Sequence, residues 1–131
     1  MSQPSPVFEL RVVFAADDYE AALRFWRDGL GLPLIRDFDG GSLLAAGQAT
    51  IEVLTRRAAE DVDRIETGKV GAGGLRLAME VAETDEACED LEAAGATRLG
   101  DPVDTPWGHR NVRIRTPDGI ELTLFAVPAE A

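Results

Sequence analysis

At 131 residues the chain is large enough for one domain with a genuine core and too small for two of ordinary size. Its composition, 45% hydrophobic and 28% charged, is that of a globular protein, and no apolar run approaches the length of a membrane span. The formal charge of −11 opposes nucleic-acid binding, despite the neighbouring Arg113 and Arg115, and suits a solvated acidic surface or a cationic ligand. The opening Met-Ser-Gln-Pro-Ser-Pro carries no secretory pattern, so a cytoplasmic location is expected. Cys88 is the only cysteine, which rules out an intramolecular disulfide and a thiolate metal cluster within the chain. Glu86, Glu89 and Asp90 around it are expected to raise its pKa and leave it a structural thiol.

In chain order, residues 7–16 are rich in β-branched and aromatic side chains and predict a strand, with Leu10, Val12 and Phe14 on one face and Arg11 and Val13 on the other. Asp17 followed by Glu20 has the spacing of a capping box, and Ala22, Phe25, Trp26 and Leu30 continue at helical spacing, which predicts a helix over 18–30 with Phe25 and Trp26 in the core. Gly29, Gly31 and Pro33 end it. Three short strands follow at 34–38, 42–46 and 49–55, separated by Asp39-Gly40-Gly41 and Gly47-Gln48 turns. The region 56–74, with seven charged residues between Arg56 and Glu66 and a Gly-rich tail, reads as a connector with room for a short helix. A strand at 75–81, an amphipathic helix at 84–94 stopped by Gly95, and strands at 97–99, 110–115 and 120–126 complete the chain.

The element order repeats. Arg11-Val-Val-Phe overlays Arg76-Leu-Ala-Met at a constant offset along the chain, and Ile51-Glu-Val-Leu overlays Leu122-Thr-Leu-Phe at a slightly longer one, as loop insertions in the second half require. This predicts an α+β fold of two β-α-β-β-β modules, the first over about 7–55, the connector over 56–74, and the second over about 75–127.

Three stretches carry a resemblance to a known family: Ala16-Asp-Asp-Tyr-Glu-Ala-Ala-Leu-Arg-Phe-Trp-Arg-Asp-Gly-Leu-Gly-Leu; Ala78-Met-Glu-Val with Leu91-Glu-Ala-Ala-Gly-Ala; and Pro106-Trp-Gly-His-Arg with Thr116-Pro-Asp-Gly-Ile-Glu-Leu. In their order and spacing they resemble the glyoxalase/bleomycin-resistance/dioxygenase (vicinal oxygen chelate) superfamily. The resemblance implies paired curved mixed sheets with helices on the convex side, a small-molecule site in the concave groove, and a homodimer. Strand alternation agrees with it: Arg11, Val13, Glu52, Leu54, Arg76, Ala78, Glu80, Glu121, Thr123 and Phe125 face the groove, while Ile120, Leu122 and Leu124 lie under the helices.

Metal-dependent relatives place His or Gln on the first strand and Glu on the last strand of each module, and those positions fall here on Arg11, Glu52, Arg76 and Thr123. Only Glu52 has the chemistry of a ligand, because a guanidinium offers no lone pair and repels a cation. The sole histidine, His109, lies in a loop. No metal and no cofactor are therefore expected, and Arg11 is expected to pair with Glu52, and Arg76 with Glu121 or Glu80. The ligand-binding candidates are Arg11, Phe38, Glu52, Leu54, Arg76, Trp107, His109, Glu121, Thr123 and Phe125. Two functions are weighed, and the first is preferred. One is a metal-free binding protein that sequesters an aromatic or cationic antibiotic or natural product by stacking and charge complementarity. The other is a lyase, isomerase or dioxygenase-type enzyme with an unconventional metal or none, for which Glu52 as base and Arg11 as oxyanion stabiliser are the catalytic candidates. The expected partner is a small organic ligand, with no nucleic acid and no membrane.

Overall fold

The structure is a computed structural model, described here for residues 6–71 and 73–128. Nine strands form one sheet: β1 (Val7–Ala16), β2 (Leu34–Phe38), β3 (Gly41–Ala46), β4 (Ala49–Thr55), β5 (Leu75–Val81), β6 (Thr97–Arg98), β7 (Val103–Asp104), β8 (Arg110–Arg115) and β9 (Glu121–Ala126). Their order is β2-β3-β4-β1-β5-β9-β8-β6, with β7 paired to β8.

The register exposes the duplication. In the first module β1 runs parallel to β4 with Val12 opposite Ile51, and in the second β5 runs parallel to β9 with Leu77 opposite Leu122. The two modules meet through the antiparallel pair β1 and β5, where Val12 lies opposite Leu77. Val12 and Leu77 are also equivalent residues in the repeat, so a local two-fold passes between them. Arg11 and Arg76 occupy equivalent places, as do Glu52 and Thr123.

Alternation along these strands separates two faces. On the convex face α3 (Thr84–Ala93) buries Ala87 and Cys88 against Val81, Val112, Ile114, Leu122 and Leu124. Its hydroxyl at Thr84 donates to the Arg110 carbonyl at 2.6 Å and ties the start of the helix to β8. In the first module α1 (Tyr19–Leu23) continues as a π-helical segment over Arg24–Gly29. Here Trp26 stacks on Phe14 of β1, with ring centroids 5.1 Å apart and planes within 15°.

Three local expectations change. The helix is capped by Asp18, whose carboxylate accepts from the Ala21 amide at 3.0 Å, because β1 extends to Ala16 and Asp17 completes the turn. Asp17 pairs with Arg56 at 3.0 Å instead. Phe25, expected in the core, is 58% exposed: the wider π-helical winding keeps Trp26 over the sheet and turns its neighbour outward. Ile120 precedes β9 and is exposed rather than placed under a helix.

The connector holds a helix of three turns, α2 (Arg56–Thr67), longer than its sequence suggests. Thr55 caps it by accepting from the Ala58 amide at 3.1 Å, and Gly68 ends it with a left-handed φ of 82°. Unlike α1 and α3, this helix lies on the concave face. Ala58 and Ala59 pack on Val13, Leu54, Ala78 and Phe125, so α2 covers part of the groove floor. Its C-terminal end rests against Gly100, where an added Cβ would come within 2.0 Å of the Glu66 carbonyl oxygen. Among the described residues no helix is long and apolar enough to cross a membrane.

Candidate functional site

The concave face and α2 enclose a cavity of about 590 Å³, a size suited to a small organic molecule. Its first-module wall is Arg11, Glu52 and Leu54; its second-module wall is Arg76, Ala78, Asn111, Thr123 and Phe125. Ala58, Asp61 and Val62 of α2 close one side, and Arg36, Phe38, Asp39, Trp107 and His109 form the rim. Gly41 leaves room for the Phe38 ring, which a Cβ there would meet at 2.5 Å.

Nine of the ten sequence-derived ligand-binding candidates line this cavity. Glu121 is the exception, because it turns behind α2 to bond Arg113. Asn111, Ala58 and Val62 of the lining, and Arg113 and Glu66 hydrogen-bonded behind it, are not among the sequence-derived candidates although their signals exist. Asn111 and Arg113 alternate with Val112 and Ile114 along β8, which places them on the groove face. Ala58, Val62 and Glu66 recur at four-residue spacing, the mark of one helix face.

On the first-module wall Arg11 donates to Glu52 at 3.1 Å, as expected, and its other terminal nitrogen contacts Glu9 at 3.0 Å. Burial alone would lower its pKa, but the hydrogen bond it donates to Glu9 and the charge of Glu52 outweigh that and raise it. The guanidinium carbon lies 4.7 Å from the centre of the Phe125 ring. His109 stacks on the same ring, 5.6 Å centre to centre and 15° between planes, and Trp107 meets His109 edge-on at 6.5 Å. Burial, and then the positive charges of Arg11 and Arg36, hold the His109 imidazole below its ordinary value of 6.5. At neutral pH it is an uncharged donor and acceptor on the wall of the cavity.

Arg76 departs from expectation. It forms no ion pair with Glu121 or Glu80; its Nη1 donates to the Thr123 hydroxyl at 3.1 Å, and its other nitrogens have no hydrogen-bond partner among the described residues. Arg113 takes the carboxylates instead. It donates through Nε to Glu66 at 2.7 Å, through Nη1 to Glu121 at 2.9 Å and through Nη2 to Asp63 at 3.1 Å. The physical reason is the helix in the groove. α2 brings Asp63 and Glu66 over β8, and Glu121, the lateral neighbour of Arg115 on β9, reaches the same guanidinium. Burial, and then the nearby charge of Arg113, lower the Arg76 pKa, although a guanidinium stays protonated at any working pH.

Glu66 is the centre of this network and is 2% exposed. Besides Arg113 it accepts from the Thr123 hydroxyl at 2.7 Å and from the Asn111 amide at 2.9 Å. Its charge is therefore met by one cation and two neutral donors, as a buried carboxylate requires.

The four positions of a family-type metal site are held by Arg11, Glu52, Arg76 and Thr123, all on the groove face. Two guanidiniums there repel a divalent ion, Thr123 is committed to Glu66, and one oxygen of Glu52 is bonded to Arg11. This donor set does not fit a divalent metal. Among the described residues, no group of three or more His, Cys, Asp or Glu side chains is arranged to hold an ion.

A sheet made of two β-α-β-β-β modules around a two-fold, with a cavity between its walls, defines a small-molecule-binding protein fold of paired modules. The model of the Glyoxalase/Bleomycin resistance protein/Dioxygenase superfamily matches residues 10–124, and the chain belongs to that superfamily. A 2-epi-5-epi-valiolone epimerase from Actinomyces sp is 31% identical over 98% of this chain and 84% of its own length. Among solved structures, methylmalonyl-CoA epimerase from Mycobacterium tuberculosis superposes with a TM-score of 0.66 at 23% identity, covering 99% of this chain and 94% of that one. A Legionella pneumophila protein described as NAD-dependent benzaldehyde dehydrogenase gives 0.71 at 15% identity, covering 91% and 99%, which is a likeness of fold alone.

Proposed function

We propose that the chain is an isomerase of this superfamily that works without the family's metal, moving a proton at a carbon beside a carbonyl group. The observation that carries this is the pair Glu52 and Arg76. Both stand opposite Val13, on β4 and β5, so two strand spacings of about 4.8 Å separate their backbones across the groove floor. Glu52 keeps Oε2 without a hydrogen-bond partner among the described residues, and Arg76 keeps free N–H groups. In this reading Glu52 removes the proton, the carbonyl oxygen becomes an enolate held by Arg76, and reprotonation on the other face inverts the centre. His109, uncharged at neutral pH, takes a proton from solvent and passes it to the opposite face of the carbon, while Glu52 releases to solvent the proton it removed. Arg76 replaces Arg11 as the oxyanion partner, because Arg11 is already neutralised by Glu9 and Glu52.

The carboxylates around Arg113 leave the floor without excess positive charge, so a neutral carbonyl compound suits the site better than a preformed anion. The epimerase relative supports the reaction class. The test is to incubate chelator-treated protein in D₂O with 2-epi-5-epi-valiolone and α-hydroxy ketones of similar size, following loss of the α-proton signal by NMR. Exchange by metal-free protein, abolished in Glu52→Gln, is the expected result. Exchange that appears only after a divalent metal is added refutes the metal-free mechanism.

A second reading rests on the aromatic wall of Phe125, His109 and Trp107, which suits stacking of a flat ligand for sequestration. Ligands that raise the melting temperature without any exchange would favour it. For quaternary structure we propose a homodimer, supported by the edge strand β2, which exposes Leu34, Ile35 and Phe38 while Phe25 and Leu30 before it are also exposed. Light scattering gives the mass, and Ile35→Glu is expected to yield monomer.

A further inference from the structure

We infer that Thr123 and Glu66 are positioning residues for Arg76, forming a relay from α2 to the groove floor in place of the metal that other members of the superfamily hold. This rests on the role given to Arg76 above, but the relay is visible in the geometry without it. The Thr123 hydroxyl has one proton and two lone pairs. It donates the proton to Glu66 at 2.7 Å and accepts from Arg76 at 3.1 Å and from Arg113 Nε at 3.2 Å, so each capacity is used.

The chain of contacts explains two features together. Arg76 tolerates a partly buried place without an ion pair of its own because Glu66, one hydroxyl away, supplies the opposite charge. Glu66 in turn is held by α2, whose end docks on Gly100, so the connector fixes the orientation of a guanidinium on the opposite wall. With Nη1 bound to Thr123, the remaining N–H groups of Arg76 are held in one orientation rather than sweeping the cavity. Thr123 sits at the fourth family ligand position. Here it directs an arginine.

The test is NMR of guanidinium groups in the full chain, without any substrate. A fixed guanidinium shows separate Nη signals, and a freely rotating one shows a single averaged signal. Wild-type protein is expected to resolve separate signals for Arg76, identified by their loss in Arg76→Lys, and Thr123→Val is expected to average them. Thr123→Ser, which restores the hydroxyl, is expected to resolve them again. Arg113 retains three carboxylates in every variant, and its resolved signals report that the fold is intact. Should Thr123→Val fail to fold, Thr123→Ala removes the same hydroxyl with less apolar bulk. Averaged Arg76 signals in wild-type protein, or resolved signals in the folded Val or Ala variant, would overturn the relay. Failure of the isomerase reading would appear instead as absent proton exchange with the Arg76 signals still resolved.

Discussion

Replacing Glu66 by methionine tests whether the helix in the groove is held by its buried charge or only by apolar packing. The substitution keeps most of the volume and removes three hydrogen bonds, from Arg113, Thr123 and Asn111. Arg113 keeps Asp63 and Glu121, so its charge is not abandoned, but it loses its shortest contact within a side chain that is 3% exposed. Asn111 loses more: its carbonyl oxygen already lacks a partner, and the amide nitrogen now lacks one too. Breaking a buried ion pair from one side costs about 3–5 kcal/mol, with stranded amide groups adding to the upper end. A chain of this length has roughly 7–20 kcal/mol in total, so the variant is expected to fold with much reduced stability. With a urea slope of about 2 kcal/mol/M, the midpoint should fall by on the order of 1.5–2.5 M. Removing both charges in Glu66→Met with Arg113→Met should cost less than the sum of the single changes, because neither charge is then stranded. A single-variant loss below about 1 kcal/mol, or strict additivity in the double variant, would refute the assignment of Glu66 as the anchor of α2.

Gly100→Ala should destabilise the protein by about 1–3 kcal/mol, read as a melting-temperature drop of several degrees, because its Cβ collides with backbone rather than a flexible side chain; an unchanged melting temperature would show that the end of α2 can shift freely. The His109 ring should titrate below 6.5 by NMR, and a midpoint at or above that value would contradict its placement beside Arg11 and Arg36. The sign for stability follows from proton linkage: between the lowered folded pKa and 6.5 the unfolded chain binds more protons at this site, so acidification through that window destabilises the fold and His109→Gln removes this contribution. Cys88 is fully buried and its pKa is raised by burial, so a thiol reagent should react slowly with native protein and rapidly after unfolding; fast native labelling would argue against the packing of α3.

Much of this architecture was legible from periodicity. Period-two strands carry local information about which residues share a face, and a repeat adds information about which strands are equivalent, so Arg11, Glu52, Arg76 and Thr123 fall on one face, which the family resemblance identifies as the groove. The short-range pairing of Arg11 with Glu52 followed as well, because both sit on hydrogen-bonded neighbouring strands. The π-helical turn that exposes Phe25 was not legible, since its spacing is also that of an ordinary α-helix.

The connector marks the boundary. Its charges and glycines read as a solvated link, and nothing local reveals that Asp63 and Glu66 find a buried arginine on a strand nearly fifty residues later. That choice belongs to tertiary structure, because a carboxylate is stable in the interior only where several donors converge on it from separate elements. The docking of α2 into the groove diverted Glu121 to Arg113 and left Arg76 bonded, among the described residues, to Thr123 alone. The sequence by itself determined the doubled fold, the groove and the residue types on its floor. Only the packed chain decided which arginine would be neutralised and which would face the cavity.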